Sequence, residues 1–213
     1  WNHYVEVGVY GETPAVPVPT TENLAIGSTV TASTTFDRIG YLTDGNAANT
    51  GSYTNGAPGV QWVQLDLGTS YDLNTIQLWH YYGDGRSYRD VVVQLSNDAT
   101  FSSGVTTVFN NDTDGSAGLG TGTDREYAET SSGKTIAFGA TNARYVRIYS
   151  NGSSANTWNH YVEVGVYGDT PAVPVPQYDV VPIDDFGAVG NGVVSDTQAY
   201  IKAVEAATAA GAD

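Results

Sequence analysis

Hydrophobic positions along this chain come in short runs. Seven segments show apolar/polar alternation with a period of two, or a compact apolar run: WVQLDL (62–67), LNTIQLWH (73–80), DVVVQLS (90–96), TTVF (106–109), TIAF (135–138), RYVRIY (144–149) and YVEVGVY (161–167). Successive side chains of a strand point to opposite faces, so each segment predicts a strand. In the last one Val162, Val164 and Val166 predict a core face, and Tyr161, Glu163 and Tyr167 an outer face. Trp62 and Trp79 are expected in the core. The separators are rich in Gly, Asn, Asp, Ser and Thr, the residues that make turns, and no span before residue 195 keeps a helical period. The pattern predicts an all-β chain folded as an antiparallel sandwich or barrel.

A repeat sets the boundaries. WNHYVEVGVYGETPAVPVP at 1–19 returns at 158–176 as WNHYVEVGVYGDTPAVPVP, with Glu12 against Asp169 as the one difference. A unit whose ending precedes its beginning predicts a chain cut within a tandem array, with residues 1–12 as the last strand of a preceding copy. The start at Trp1 and the absence of Met fit a processed product or an excised piece. The two copies of the strand could compete for one sheet position, within a chain or by exchange between chains. Closing the shorter loop costs less, so the local copy is expected to win and the chain to be a monomer. Residues 13–22 and 169–177 are proline-rich and predict semi-rigid linkers around a domain at 23–168. Residues 178–213 change character: a short strand, a Gly-rich turn, then an Ala-rich helix with Ile201, Val204 and Ala207 on one face and Ser195 or Asp196 as its cap. So few large apolar side chains cannot bury a core alone, which predicts the opening of a further domain.

Composition narrows the partners. The 213 residues carry 8 Lys and Arg against 23 Asp and Glu, a net charge of −15. Phosphate backbones are bound through Lys and Arg, so nucleic acid is excluded as a main partner. With no Cys there are no disulfides or thiolate metal sites, and three His are too few for a zinc cluster. No stretch nears the roughly 20 apolar residues that a membrane helix needs.

Three stretches offer chemistry. Trp79-His80-Tyr81-Tyr82-Gly83-Asp84-Gly85-Arg86-Ser87-Tyr88-Arg89 is the densest aromatic and polar cluster. Sugar sites combine such aromatic faces with a few fixed polar groups, and packing at a strand end is the other reading. YLTDGNAANT (41–50) offers a carboxylate beside turn carbonyls, which suits the hard-oxygen preference of calcium and suits an ordinary turn equally. NNDTDGSAGLGTGTD (110–124) places Asp112, Asp114 and Asp124 in a Gly-rich loop, either solvated or a second cation site, without the glycine spacing of a phosphate cradle. Asp184 and Asp185 are neighbours on an expected strand and point to opposite faces, so they do not form an acid/base pair.

In order along 23–168, the fragments NLAIGSTVTAS, YLTDGNAANT, WVQLDLG, IQLWHYYGDGRSYRDVVVQLSND, ARYVRIYSNGS and NHYVEVGVYG resemble the discoidin or coagulation factor five/eight type C fold. More narrowly, they resemble the galactose-binding-like carbohydrate-binding modules of bacterial glycan-degrading enzymes. That resemblance implies an eight-stranded antiparallel jelly-roll β-sandwich, a structural calcium ion and a ligand site on loops at one end. For calcium it implies the carbonyls of Tyr41, Asn46 and Val162, the carboxylates of Asp44 and Glu163, and the hydroxyl and carbonyl of Thr50. The hydroxyl residue stands one place later than the family spacing, with Asn49 at the usual position. For the glycan it implies His80, Tyr82, Arg86 and Asn111, then Trp158 and His160 from the loop before the last strand. The family's downstream Arg-to-Asn spacing is absent, a departure that bears on galactose-type specificity.

The tail DFGAVGNGVVSDTQAYIKAVEAA resembles the first strand and capping helix of right-handed parallel β-helix enzymes of the pectate lyase and polygalacturonase type. The joined arrangement resembles bacterial α-1,3-glucanases. Together these imply a non-catalytic carbohydrate-binding module of a secreted bacterial enzyme, a glycoside hydrolase ahead of a polysaccharide lyase, with a neighbouring repeat and a β-helix catalytic domain as partners. The charge of −15 favours a neutral glucan such as α-1,3-glucan over a polyuronate. A structural spacer or protein-adhesion domain is the alternative. A chain that itself cleaves glycan would need two carboxylates facing across a groove, and no cluster of the sequence offers them.

Overall fold

The computed structural model describes residues 22–48, 50–169, 183–189 and 196–209. The chain divides into two units, the larger being Pro17–Pro171. In it lie β1 (Thr29–Ala32), a 3-10 turn (Ile39–Thr43), β2 (Thr54–Gly56), β3 (Gln61–His80), β4 (Val92–Ser96), β5 (Thr106–Asn110), β6 (Lys134–Ser150) and β7 (Asn159–Asp169). Every pairing is antiparallel, in the order β2-β7-β3-β6-β4-β5 with β1 added on β3. The antiparallel all-β expectation holds. The local copy of the repeated strand, β7, sits between β2 and β3.

Several expected elements take a different form. The segments at 62–67 and 73–80 are two halves of one strand, β3, and those at 135–138 and 144–149 are two halves of β6. The first half of β3 pairs with β1 and the end of β6, while its second half pairs with β7 and the start of β6. Register shifts at Asp66/Tyr71 and Leu73/Thr75 let one strand serve both stretches of sheet. The second shift also changes parity: Val63, Leu65, Leu67 and Leu73 are core, then Ile76 and Leu78. Among the described residues there are seven strands, not the eight the resemblance implied; β1 and β2 are too short to leave a legible run.

The apolar core joins Leu42, Val63, Leu65, Ile76, Val93, Ile148, Val164 and their neighbours. Trp62 and Trp79 are not part of it, because they stand on the opposite parity from Val63 and Leu78. Trp62 carries the Arg147 guanidinium on its ring at 4.4 Å, and Trp79 Nε1 donates to the Ser131 carbonyl. On β7 the register skips one residue: Trp79 pairs with Glu163 and His80 with Tyr161. Val162 is thus the extra residue of a bulge, so Tyr161, expected outside, joins Val164 and Val166 in the main core cluster, and Val162 is fully buried beside it.

In the second unit, Ile183–Phe186 forms a 3-10 turn and Thr197–Ala209 the helix α1. Asp196 precedes the helix and accepts from the Val189 N–H at 2.8 Å. Asp184 and Asp185 therefore lie in a turn rather than on an extended strand. The expected helix face is also displaced, since Ala199 and Ala203 are buried while Ile201 and Val204 are exposed. Among the described residues no helix is long and apolar enough to cross a membrane. The strand expected at 1–12, the linkers over 13–21 and 170–177, the strand expected after them and Ser195 lie outside the described residues. A β-helix opening is not established by a turn and a helix.

Candidate functional site

The ends of β3 and β7 build the site. His80 pairs with Tyr161, and the Tyr81 N–H donates to the His160 carbonyl at 3.1 Å, so Tyr81 and His160 emerge side by side. The loop after β3 turns back at Gly83, where an added Cβ would lie 2.5 Å from the Tyr81 hydroxyl oxygen; only glycine lets that ring lie across the loop. Tyr53, just before β2, stands edge-on to Tyr81 and to His160, with ring centroids 5.1 and 5.3 Å away. Arg86 lays its guanidinium over the Tyr81 ring at 4.7 Å. With Asn156 these residues line a cleft of about 150 Å³. Asn156 spends its Oδ1 on the Trp158 N–H, and its amide nitrogen remains as a donor. Trp158, on the same loop, is the one exposed aromatic among the described residues of this unit.

The polar groups of the cleft are fixed. His160 Nδ1 lies 3.4 Å from Arg86 Nη1 and 3.2 Å from the Tyr88 hydroxyl. A guanidinium can only donate, so Nδ1 accepts and the ring proton sits on Nε2. Burial, reinforced by the positive charge of Arg86 and by His80, lowers His160 to about 4, which keeps the ring neutral near pH 7. Arg86 is itself clamped by Asp84: Nε donates to Oδ1 at 2.7 Å and Nη2 to Oδ2 at 2.5 Å. That pairing holds Asp84 below the usual carboxylate range. Underneath, His80 stacks on Tyr88 at 4.2 Å and its Nδ1 meets Glu129 Oε1 at 2.7 Å. This layer braces the wall of the cleft. Aromatic faces beside neutral donors suit the C–H face and hydroxyls of a pyranose, and no carboxylate lines the cleft for hydrolysis.

The residues expected from the sequence divide. Arg86 and His160 line the cleft, and Trp158 stands exposed on its loop. His80, expected to reach the loop surface, is fully buried, because the parity that groups it with Ile76 and Leu78 turns it inward. Tyr82 donates its hydroxyl to the Ala47 carbonyl at 2.9 Å and so braces the 44–50 loop. Asn111 is buried beside β4, where its Oδ1 accepts from the Val91 N–H at 2.6 Å. Sequence reasoning missed Tyr53, Tyr81 and Asn156. Tyr81 lies inside the aromatic cluster it singled out and Asn156 on the loop it named for Trp158 and His160, whereas Tyr53 arrives from a distant loop with no local signal.

The expected calcium ligands converge in part. Glu163 is buried, and its Oε2 accepts from the N–H groups of Gly45 and Asn46 at 3.0 and 3.1 Å. Its Oε1 is buried without a partner. Burial, with Asp44 as its neighbour, pushes the Glu163 carboxyl up to about 8. Two neighbouring acids, one with a spare buried oxygen, fit a hard cation. Asn49 lies outside the described residues. In the other acidic loop, carboxylate oxygens of Asp90, Asp112 and Asp114 lie within 4.8 Å of one another, while Asp124 instead accepts from the Asn110 N–H.

The family model of the NedA-like galactose-binding domain, of the F5/F8 type C group, matches residues 41–148. The chain belongs to this family. Among solved structures, this galactose-binding-like domain is similar to chitosan-binding module 1 of a chitosanase/glucanase from Paenibacillus sp. IK-5, at 25% identity and a TM-score of 0.50 over 69% of this chain and 99% of that one. It is similar to a truncated AlyQ with CBM32 and alginate lyase domains, at 25% identity and a TM-score of 0.54, covering 79% of this chain and 38% of that chain. The CBM32 of AlyQ in complex with 4,5-unsaturated mannuronic acid matches at 28% identity and a TM-score of 0.49, over 65% of this chain and 92% of that one. A comparison with curated proteins found none that matches. The family model and the two likenesses with a TM-score of 0.50 or more support a non-catalytic carbohydrate-binding module of discoidin-like antiparallel fold.

Proposed function

We propose that this chain is a carbohydrate-binding module that holds a secreted bacterial glycan-degrading enzyme at a neutral polysaccharide, with α-1,3-glucan as the first candidate. The observation that carries the reading is the cleft of Tyr53, Tyr81, Arg86, Asn156 and His160, aromatic in its walls and without a carboxylate. A pyranose packs its C–H face on the tyrosines, while His160 Nε2–H and the Asn156 amide choose among hydroxyls. The net charge of −15 weighs against a polyuronate polymer. Tethering acts by effective concentration, so a weak site suffices and tandem copies multiply it. The resemblance of the tail to β-helix enzymes supports a glycoside hydrolase as the parent.

We also propose that calcium stabilises this module. Asp44 and Glu163 would hold it with the carbonyls of Tyr41, Asn46 and Val162 and with Thr50; its charge would offset the two facing carboxylates and fix the loop on which Tyr82 leans.

The test is retention of the purified chain on insoluble α-1,3-glucan, β-glucans, chitin and calcium-gelled pectin, each repeated with chelator. Selective retention on a neutral glucan, lost in Tyr81→Ala and His160→Ala variants that still fold, is the expected result. Retention on none of them would overturn the reading and favour a structural spacer.

A further inference from the structure

We propose that Asp84 sets the charge selectivity of the cleft: by occupying Arg86 it makes the site one for neutral sugars and shuts out uronic acids. The inference rests on the carbohydrate-binding reading above and adds the residue that decides between two ligand classes.

Arg86 is the only Lys, Arg, Asp or Glu among the five residues that line the cleft. Left to itself, a cationic guanidinium beside aromatic rings would be a receptor for a sugar carboxylate. A planar carboxylate prefers a guanidinium edge that offers two parallel N–H bonds. On Arg86 the edge made by Nε and Nη2 is already filled, oxygen for nitrogen, by Asp84. Nη1 points to His160 Nδ1, and the flat face lies on Tyr81. The Arg86 side chain is 11% exposed and that of Asp84 45%, so the charge presented to solvent at this pair is the negative one. An arriving uronate would find the Nε–Nη2 fork already filled and would meet a fixed like charge. A neutral pyranose meets neither penalty.

The pair is built locally. Asp84, Gly85 and Arg86 form a tight turn with Gly85 at φ +68, and the Arg86 N–H also reaches Asp84 Oδ1 at 3.3 Å. The clamp therefore belongs to the loop and precedes any ligand. It is also short-range, unlike the overall charge of −15, so its effect persists when salt screens the distant charges.

The experiment compares the whole chain with Asp84→Asn at about 0.3 M salt, where charges beyond a few ångströms are screened. Asparagine keeps an oxygen for the turn and removes the charge; Asp84→Ser serves as a second variant of the same sense. Titration calorimetry is run with neutral probes (α-1,3-linked gluco-, cello- and galacto-oligosaccharides) and acidic ones (oligogalacturonate and oligomannuronate). The unaltered chain is expected to prefer its best neutral probe over both acidic ones by about tenfold or more. Both variants should narrow that preference about tenfold by gaining affinity for the acidic probes, with the neutral affinity within about threefold of its starting value. An unchanged ratio in both variants, or equal binding of neutral and acidic probes by the unaltered chain, overturns the assignment of Asp84 while leaving the binding module intact. No binding of any probe by the unaltered chain overturns the carbohydrate reading and this inference with it.

Discussion

Glu163 and Asp112 are both buried carboxylates in the same domain, 2% and 0% exposed, and their charges are met in opposite ways. Asp112 sits at the mouth of its own loop and collects N–H groups that follow it in sequence: Asp114, Gly115 and Ser116 donate to Oδ1, and Ala117 to Oδ2. Glu163 reaches across to a loop more than a hundred residues away, where Gly45 and Asn46 donate to Oε2 only, and Oε1 has no partner. Asp44 is its other neighbour, and with burial it pushes the Glu163 carboxyl toward its protonated form. Proximity of acids does not separate the two places, since Asp90 and Asp114 crowd Asp112 as well. What separates them is whether the backbone has already filled the lone pairs. A saturated carboxylate behaves as a loop staple, and the half-filled one beside another acid is where the proposed cation would sit.

The largest effect should come from the staple. Asp112→Ala removes the acceptor from four backbone N–H groups at once. Leaving buried donors unpaired costs about 1–3 kcal/mol each in the worst case, and partial relaxation brings the expected loss to about 3 kcal/mol. For a chain of this size that corresponds to a fall in Tm of roughly 10 °C by scanning calorimetry. The fall should be the same with calcium and with chelator. A calcium-dependent loss at Asp112 would reverse the assignment of the two places.

The next effect belongs to Glu163. Calcium well above its Kd should raise Tm over the chelated chain by several degrees, a stabilisation of about 2–3 kcal/mol. Glu163→Gln should abolish that response. In chelator the same variant should be at least as stable as the unaltered chain, because one of two facing acids has gone while the amide oxygen still accepts from Gly45 and Asn46. Thermal scans in which chelator leaves the unaltered chain untouched would remove the cation and reduce Glu163 to an ordinary buried acid.

The same distinction explains what the sequence disclosed. The antiparallel fold was legible because alternating runs such as Val63-Leu65-Leu67 face one core. The bulges were not, and two of them reversed a face: the skip at Val162 turned Tyr161 inward, and the shift beyond Leu73 moved the core face from odd to even positions, His80 among them. Of the cleft, Arg86 and His160 were within reach of sequence reasoning. Tyr53 was not, since only folding brings its loop there, and Asn156 lay on the loop that carries Trp158 without being singled out. Asp84 stood two residues from Arg86 in plain view, but adjacency in sequence does not say whether a carboxylate clamps a guanidinium or avoids it.

His160 extends the comparison to a base and gives the smallest expected effect. Like Glu163 it has one atom satisfied and one spare: Nδ1 accepts from Arg86 and Tyr88, and Nε2–H is left for a ligand. Like Glu163, it is pushed toward its neutral form, here by burial and by Arg86, which lower it to about 4. Between that value and the ordinary 6.5 the unfolded chain binds a proton that the folded chain refuses, so the stability from this group is complete above pH 6.5 and is lost as pH falls toward 4. Glycan retention follows the folded value instead: it should stay flat from about pH 8 to 5 and fall only through about 4, because protonation cancels the acceptor that Arg86 and Tyr88 hold. The loss should be about 1 kcal/mol, several-fold in affinity. His160→Gln, with an amide in place of Nε2–H, should bind more weakly and show no step at that pH. A step near 6.5 in the unaltered chain would mean that His160 is solvated and that Arg86 and Tyr88 do not fix its tautomer, leaving the cleft with no oriented donor at that position.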